Sequence, residues 1–245
     1  MKIKRLIASV VLAAFCLTMI SGTASAHSYD VFAGHYFRLI PSTTAGGEPR
    51  IIVRDTADFM LRINSSALND ILTYNTINKY ATEWNNISSN VYLKTYNPDY
   101  YLPTQTSEIG VYGKDLGGVT EEPEPGHMVI SFEGGETHYY DMYGKRVHPD
   151  NNSVYCEIYM NTWDVGLSIY RKETNGVLAA RKTFLHEVGH ALLLDHPAIG
   201  SQYDDHTYSG RPYAVMNQGF LGKFDFISGS ITEHDKSCLI TKWGI

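Results

Sequence analysis

Cysteine is scarce, with three in 245 residues, so no disulfide framework holds the chain together. Positive charge is neither abundant nor clustered. Twenty Lys and Arg face 26 Asp and Glu, the net charge is −6 and no basic stripe appears; this excludes a nucleic-acid partner. Beyond the first 26 residues there is no apolar run near the roughly 20 residues that a bilayer span needs. Internal repeats and low-complexity tracts are also absent.

What is present begins with a leader. Lys2, Lys4 and Arg5 precede an apolar run from Leu6 to Ile20, and Ala24-Ser25-Ala26 gives a small-x-small cleavage pattern. The run is short for a membrane anchor, and bulky Phe15 before Cys16 argues against a lipoprotein signal. Residues 1–26 therefore read as a signal peptide, His27 as the mature start and the protein as secreted, with no membrane attachment after cleavage. Two cysteines then remain, Cys156 and Cys238. They allow one bridge or two buried thiols; the expectation carried forward is the bridge. Tyrosine is frequent, 18 in all, which suits strands with one wet face.

Residues 27–56 hold two β-like runs, Tyr36 to Ile40 and Arg50 to Val53, around a turn-rich stretch. They read as a leader or short N-terminal extension, or as extra strands. The pattern then predicts a strand over Met60–Ile63, a helix capped by Ser66 and running to about Ile87, and strands over 91–95, 109–112, 128–132 and 155–160. Glu121 to Pro125 and Glu133 to Asn152 read as loops. An apolar helix is expected over 177–192 and a last helix over 233–243, where Thr232 and Asp235 stand at capping-box spacing. Strands and helices mixed in this order suggest an α/β or α+β domain.

The chemistry is concentrated in His186-Glu187-Val188-Gly189-His190. Histidines at i and i+4 project from one helical face and can share a metal ion. Zinc takes neutral imidazole nitrogens and tolerates an open position for hydrolysis, and Glu187 is placed to act as general base. Burying two histidines and a glutamate in an apolar helix without such a task would be costly. His196 follows His190 by six residues. On a continuous helix it would point about 120° away from His190, so the helix must end near Leu193 for His196 to become the third ligand. Pro197 supports that stop, because the residue before a proline is pushed out of helical geometry.

The run from His186 to His196 resembles the HExxHxxGxxH signature of the metzincin zinc peptidases, especially the matrixins. The run from Ala214 to Gln218 is similar to their Met-turn, with Met216 in the methionine position. Weaker similarity at Met60–Ile63, the helix ending near Trp84, Glu157–Asn161 and Thr232–Gly244 extends the match over 57–245. The resemblance implies a metzincin-like catalytic domain over those residues: a twisted, mostly parallel sheet, two long helices and a small subdomain after the zinc helix. It also implies a monomeric zinc endopeptidase acting on protein or peptide, with substrate laid along the strand Tyr155–Met160. Leu193 stands where the family has glycine, no cysteine switch precedes the domain, and Gln218 replaces the tyrosine that some groups use as a ligand. Substituting glycine at Leu193 is expected to keep activity and relieve strain. A zinc-bearing binding or structural protein without turnover and a cell-wall amide hydrolase are the alternatives. Calcium has no motif arguing for it. His138, Asp141 and His148 read as solvated loop residues, His206 beside Asp204 and Asp205 as a loop histidine, with a calcium-loop neighbour or a substitute third ligand as its alternatives, and His27, His35, His127 and His234 have no assigned role.

Overall fold

The computed structural model describes residues 30–40, 50–64, 68, 71–96, 108–125, 127–131, 133–163, 175–197, 214–216 and 231–245. The segment read as a signal peptide lies outside them, as do Asp204, Asp205, His206, Gln218 and most of the chain between His196 and the last helix.

The chain is a mixed α/β structure. Its elements are β1 (Phe37–Ile40), β2 (Arg50–Val53), β3 (Ala57–Ile63), α1 (Tyr74–Asn85), β4 (Val91–Tyr96), β5 (Glu108–Lys114), β6 (Val119–Glu124), β7 (His127–Ser131), β8 (Gly135–Tyr140), β9 (Arg146–Val147), β10 (Tyr155–Asn161), α2 (Asn175–Ala191) and α3 (Glu233–Trp243). Six strands form the main sheet in the order β4-β3-β5-β10-β8-β9. β4, β3, β5 and β10 pair in parallel, whereas β8 runs antiparallel to β10 and to β9.

Alternation decides which sheet face meets the helices. In β3, Ala57, Phe59, Leu61 and Ile63 are buried, and in β10 Cys156, Ile158 and Met160 are buried between half-exposed neighbours. α1 joins the parallel pair β3 and β4 and buries Ile77, Tyr80, Ala81 and Trp84. α2 contributes Phe184, Leu185, Val188 and Ala191 to the same core, and Arg181 ties it to Glu83 of α1.

Several boundaries differ from the sequence reading. α1 begins at Tyr74, because Thr73 caps it by accepting the N–H of Thr76; Leu68 and Leu72 belong to a separate turn closed by Leu72 N–H to Leu68 O. The expected loop Glu121–Pro125 is largely strand: β6 pairs antiparallel with β7 through an irregular register between Glu121 and Glu124. The expected loop 133–152 contains β8 and β9, joined by a turn in which Asp141 Oδ1 accepts the N–H groups of Tyr143 and Lys145. The N-terminal runs form a hairpin of β1 and β2, and Tyr36 before it is buried against Phe59. No described helix is long and apolar enough to cross a membrane.

The Cys156–Cys238 bridge is not formed. Both are buried free thiols. Cys156 lies under the sheet, and Cys238 sits on α3, its sulfur 3.6 Å from His234 Nε2. Burial pushes the two thiols up to about 12 and about 11, so both are protonated and unreactive.

Candidate metal centre

α2 presents His186, Glu187 and His190 from one continuous helix, and its ending brings in the third histidine. Leu193 N–H bonds to His190 O at 2.6 Å and Leu194 N–H to Gly189 O at 3.0 Å. This is a Schellman ending, with Leu193 at the left-handed position, φ 64°. Donors from other elements reach this ending too: Tyr139 Oη donates to His190 O, Trp243 Nε1 to Leu192 O and Phe32 N–H to Leu193 O. The expected stop at Leu193 is therefore present, without glycine. A left-handed non-glycine residue costs roughly 1–2 kcal/mol. Here that strain is held by a fully buried leucine side chain as well as by the hydrogen bonds. Glycine at 193 would relieve that strain and would also leave a hole in the core.

The turn brings three imidazoles together. Nε2 of His186, His190 and His196 form a triangle with sides of 3.0 to 3.1 Å. His186 Nδ1 lies 2.9 Å from Val215 O, and His190 Nδ1 2.9 Å from Leu194 O. A carbonyl can only accept, so in both rings the proton is on Nδ1 and Nε2 presents a lone pair to the centre. Burial holds all three rings below the ordinary histidine range: His186 is lowered further by His190 and His196, His190 is pushed down to about 3 with help from His196, and at His196 Asp195 opposes the fall while Lys182 adds to it. Lone pairs converging at this separation need a cation. Two nitrogens each 2.0–2.1 Å from a tetrahedral zinc would stand about 3.3 Å apart, and the triangle is close to that size.

Glu187 is 4% exposed. Burial raises its carboxyl to about 8, the Thr137 hydroxyl opposes the rise, and Glu133 and Glu136 add to it. Thr137 Oγ1 is 2.8 Å from Glu187 Oε2 and 3.1 Å from Glu187 O. Gly135 lies beside it, where a Cβ would stand 2.9 Å from Glu187 Cγ. β8 thus forms one wall of the site. One edge of β8 bonds to β10, and the other is covered by β9 only at Tyr139 and Tyr140. Among the described residues, Gly135 to His138 keep an open edge. β10, in contrast, is paired on both sides. The expectation that substrate adds to Tyr155–Met160 is therefore wrong: that strand has no free edge.

Met216 lies beneath α2. A Cβ at Gly189 would fall 2.2 Å from Met216 Sδ, so the methionine packs directly on the helix backbone between the two ligands. Asp235, fully buried, accepts the N–H groups of Val215 and Met216 and caps α3 through Thr232. A line of bonds therefore runs from Asp235 through Val215 to His186. The sequence pattern marks Asp235 only as a cap and distinguishes none of Thr137, Gly135 and Tyr139.

The other histidines stand apart. His138 is a buried strand residue 2.8 Å from Glu136 Oε2, not a solvated loop histidine. His148 is exposed near Asp150, as expected. Among the described residues, the histidine triangle is the one cluster of three or more candidate ligands.

No family model and no curated protein sequence matches the chain. Among solved structures, archaemetzincin from Methanopyrus kandleri is similar at a TM-score of 0.40 and 12% identity, over 78% of this chain and 98% of that one.

Proposed function

We propose that the chain is a secreted, zinc-dependent endopeptidase of the metzincin kind, with His186, His190 and His196 as ligands and Glu187 as general base. The observation that carries this reading is the converging triangle of three neutral imidazoles beside a buried glutamate. A zinc ion held there supplies a Lewis acid that polarises the scissile carbonyl and acidifies water to a pKa near 7.

The chain's own groups do the rest. Substrate backbone adds to the open edge from Gly135 to His138 as a further strand, which brings a peptide alongside Glu187. Thr137 fixes one carboxylate oxygen, and the other takes the proton from water and returns it to the leaving amine. A dication held by the three histidines would lower the raised carboxyl of Glu187, which would leave the base ionised at neutral pH. The rival without turnover draws on Leu193 in place of glycine, and the turn forms with leucine all the same.

The test is a quenched peptide with chelation and zinc add-back, run on Glu187→Ala. Hydrolysis is expected to vanish on chelation, return with zinc and fall at least about 1,000-fold in the variant, a loss in line with removing a general base. Zinc should stay near one per chain. Substantial activity in Glu187→Ala would remove that residue from the mechanism, and products from peptidoglycan but not from protein would shift the substrate class.

A further inference from the structure

The turn that carries His196 is not secured by α2 alone. An extended strap, residues 30–34, runs antiparallel to it from a point far away in sequence. Phe32 N–H donates to Leu193 O at 3.0 Å, Asp195 N–H donates to Asp30 O at 2.8 Å, and Val31 bridges Leu194 between them. These contacts flank the strained residue on one side and the residue before the ligand on the other. The strap itself is pinned to α3: Lys242 Nζ donates to Phe32 O and Gly34 O, both at 2.6 Å, and Asp30 Oδ2 lies 3.2 Å from His234 Nε2. The Phe32 ring packs 6.0 Å from that of His190 and 6.2 Å from that of Tyr139.

Left-handed backbone at a leucine persists only when its surroundings over-determine it. Two of the residues that follow α2, Leu193 through its carbonyl and Asp195 through its N–H, are bonded to the strap, and Leu194 between them faces Val31. Without it, the turn loses the partners that hold it against its own strain, and His196 loses its aim.

We propose that residues 30–34, through the Phe32 N–H and the Asp30 carbonyl, are positioning residues for the third metal ligand, so that this N-terminal segment is part of the metal site and not a removable leader. The inference rests on the metal reading of the triangle and extends it to a segment that carries no ligand.

The probe is zinc, titrated into the full chain against a competing chelator, with the visible spectrum of the cobalt-substituted protein as a second readout. Phe32→Pro removes the N–H; Phe32→Ala removes the ring and keeps the N–H. The expected result is at least tenfold weaker zinc binding and an altered cobalt spectrum for Phe32→Pro, with Phe32→Ala within threefold of the parent and its spectrum unchanged. Parental affinity and spectrum in folded Phe32→Pro would overturn the proposal, and so would equal losses in the two variants, which would assign the effect to the ring. If Phe32→Pro does not fold, Lys242→Met decides: a threefold or greater loss with a changed spectrum supports the strap, and parental behaviour overturns it. His196→Ala serves as reference. Parental zinc binding there would fail the metal reading itself, an outcome separate from failure of the strap.

Discussion

Two of the described helices end on a residue with positive φ, and they do so differently. α3 ends at Gly244, φ 82° and ψ −174°, a conformation that only glycine adopts readily. Its N–H bonds to Ile240 O, and its carbonyl accepts Ser88 Oγ. α2 ends at Leu193, φ 64°, with a Cβ where the backbone favours none. The first ending is cheap because of residue choice. The second is sustained by tertiary structure: Trp243, Tyr139 and Phe32 all donate to its carbonyls, and the leucine side chain is fully buried. Strain is tolerated at the end that brings His196 to His186 and His190, and the surrounding elements converge on that end.

The sharpest break comes from the ligand that the α2 turn delivers. His196→Ala should weaken zinc binding by at least about 100-fold, close to 2.7 kcal/mol, whereas His206→Ala should change it less than threefold. Chelator competition measures both, and the reverse order would make His206 the ligand.

Acid should attack the same end selectively. The triad imidazoles are held below their ordinary value of 6.5, His190 down to about 3. Groups with depressed folded-state values bind more protons when unfolded, so the stability they allow is fully present above pH 6.5. It is lost as pH falls from there towards about 3. Glu187, raised to about 8, acts in the opposite sense, since its protonated form suits burial. Metal-free unfolding between pH 7 and 4 should therefore show falling stability in the parent, and a smaller fall in a variant with all three histidines replaced by Gln. In the parent, zinc should be released over the same interval. Equal slopes for the two proteins would show that the triangle is not the titrating element.

Leu193→Gly separates strain from packing. Losing a buried leucine side chain costs roughly 3–5 kcal/mol, and relief of left-handed strain returns about 1–2 kcal/mol. Denaturant unfolding of the metal-free protein should show a net loss of roughly 1–4 kcal/mol, by the difference of those ranges. A more stable glycine variant would mean that strain, not packing, dominates this corner.

The smallest effect belongs to the other ending. Gly244→Ala places a Cβ 3.2 Å from Asn90 Nδ2 at a backbone angle that side chains avoid. The expected loss is about 1–2 kcal/mol, with zinc affinity unchanged. A change in zinc binding would link the two helix ends through α3.

Much of this was legible in the linear pattern because it is local. β3, β4, β5, β7, β10, α2 and α3 follow from period-2 and helical spacing, and the shared face of His186 and His190 follows from the i, i+4 rule. The Thr232–Asp235 capping box is present as the spacing suggested. β6 escaped notice because it is acidic and contains proline, and only pairing to β7 makes it a strand. β8 escaped because its run from Gly135 to Tyr140 lacks clean alternation: His138 and Tyr139, adjacent in sequence, are both buried. The long-helix reading from Ser66 failed because the apolar stripe continues across Thr73, where a side-chain cap starts a new helix.

By itself, then, the chain's sequence determined the helix bearing His186, Glu187 and His190, the stop near Leu193 that frees His196, and the alternating apolar faces of the central strands. Each depends on chemistry within a few residues. Only tertiary structure decided that a leucine could hold a left-handed turn, that Cys156 and Cys238 stay apart, that β10 is interior while β8 offers the open edge, and that Thr137, Asp235 and the Phe32 strap hold the site in place. These outcomes depend on which distant backbone groups meet, and a pattern of side-chain types carries no information about partners more than a hundred residues away.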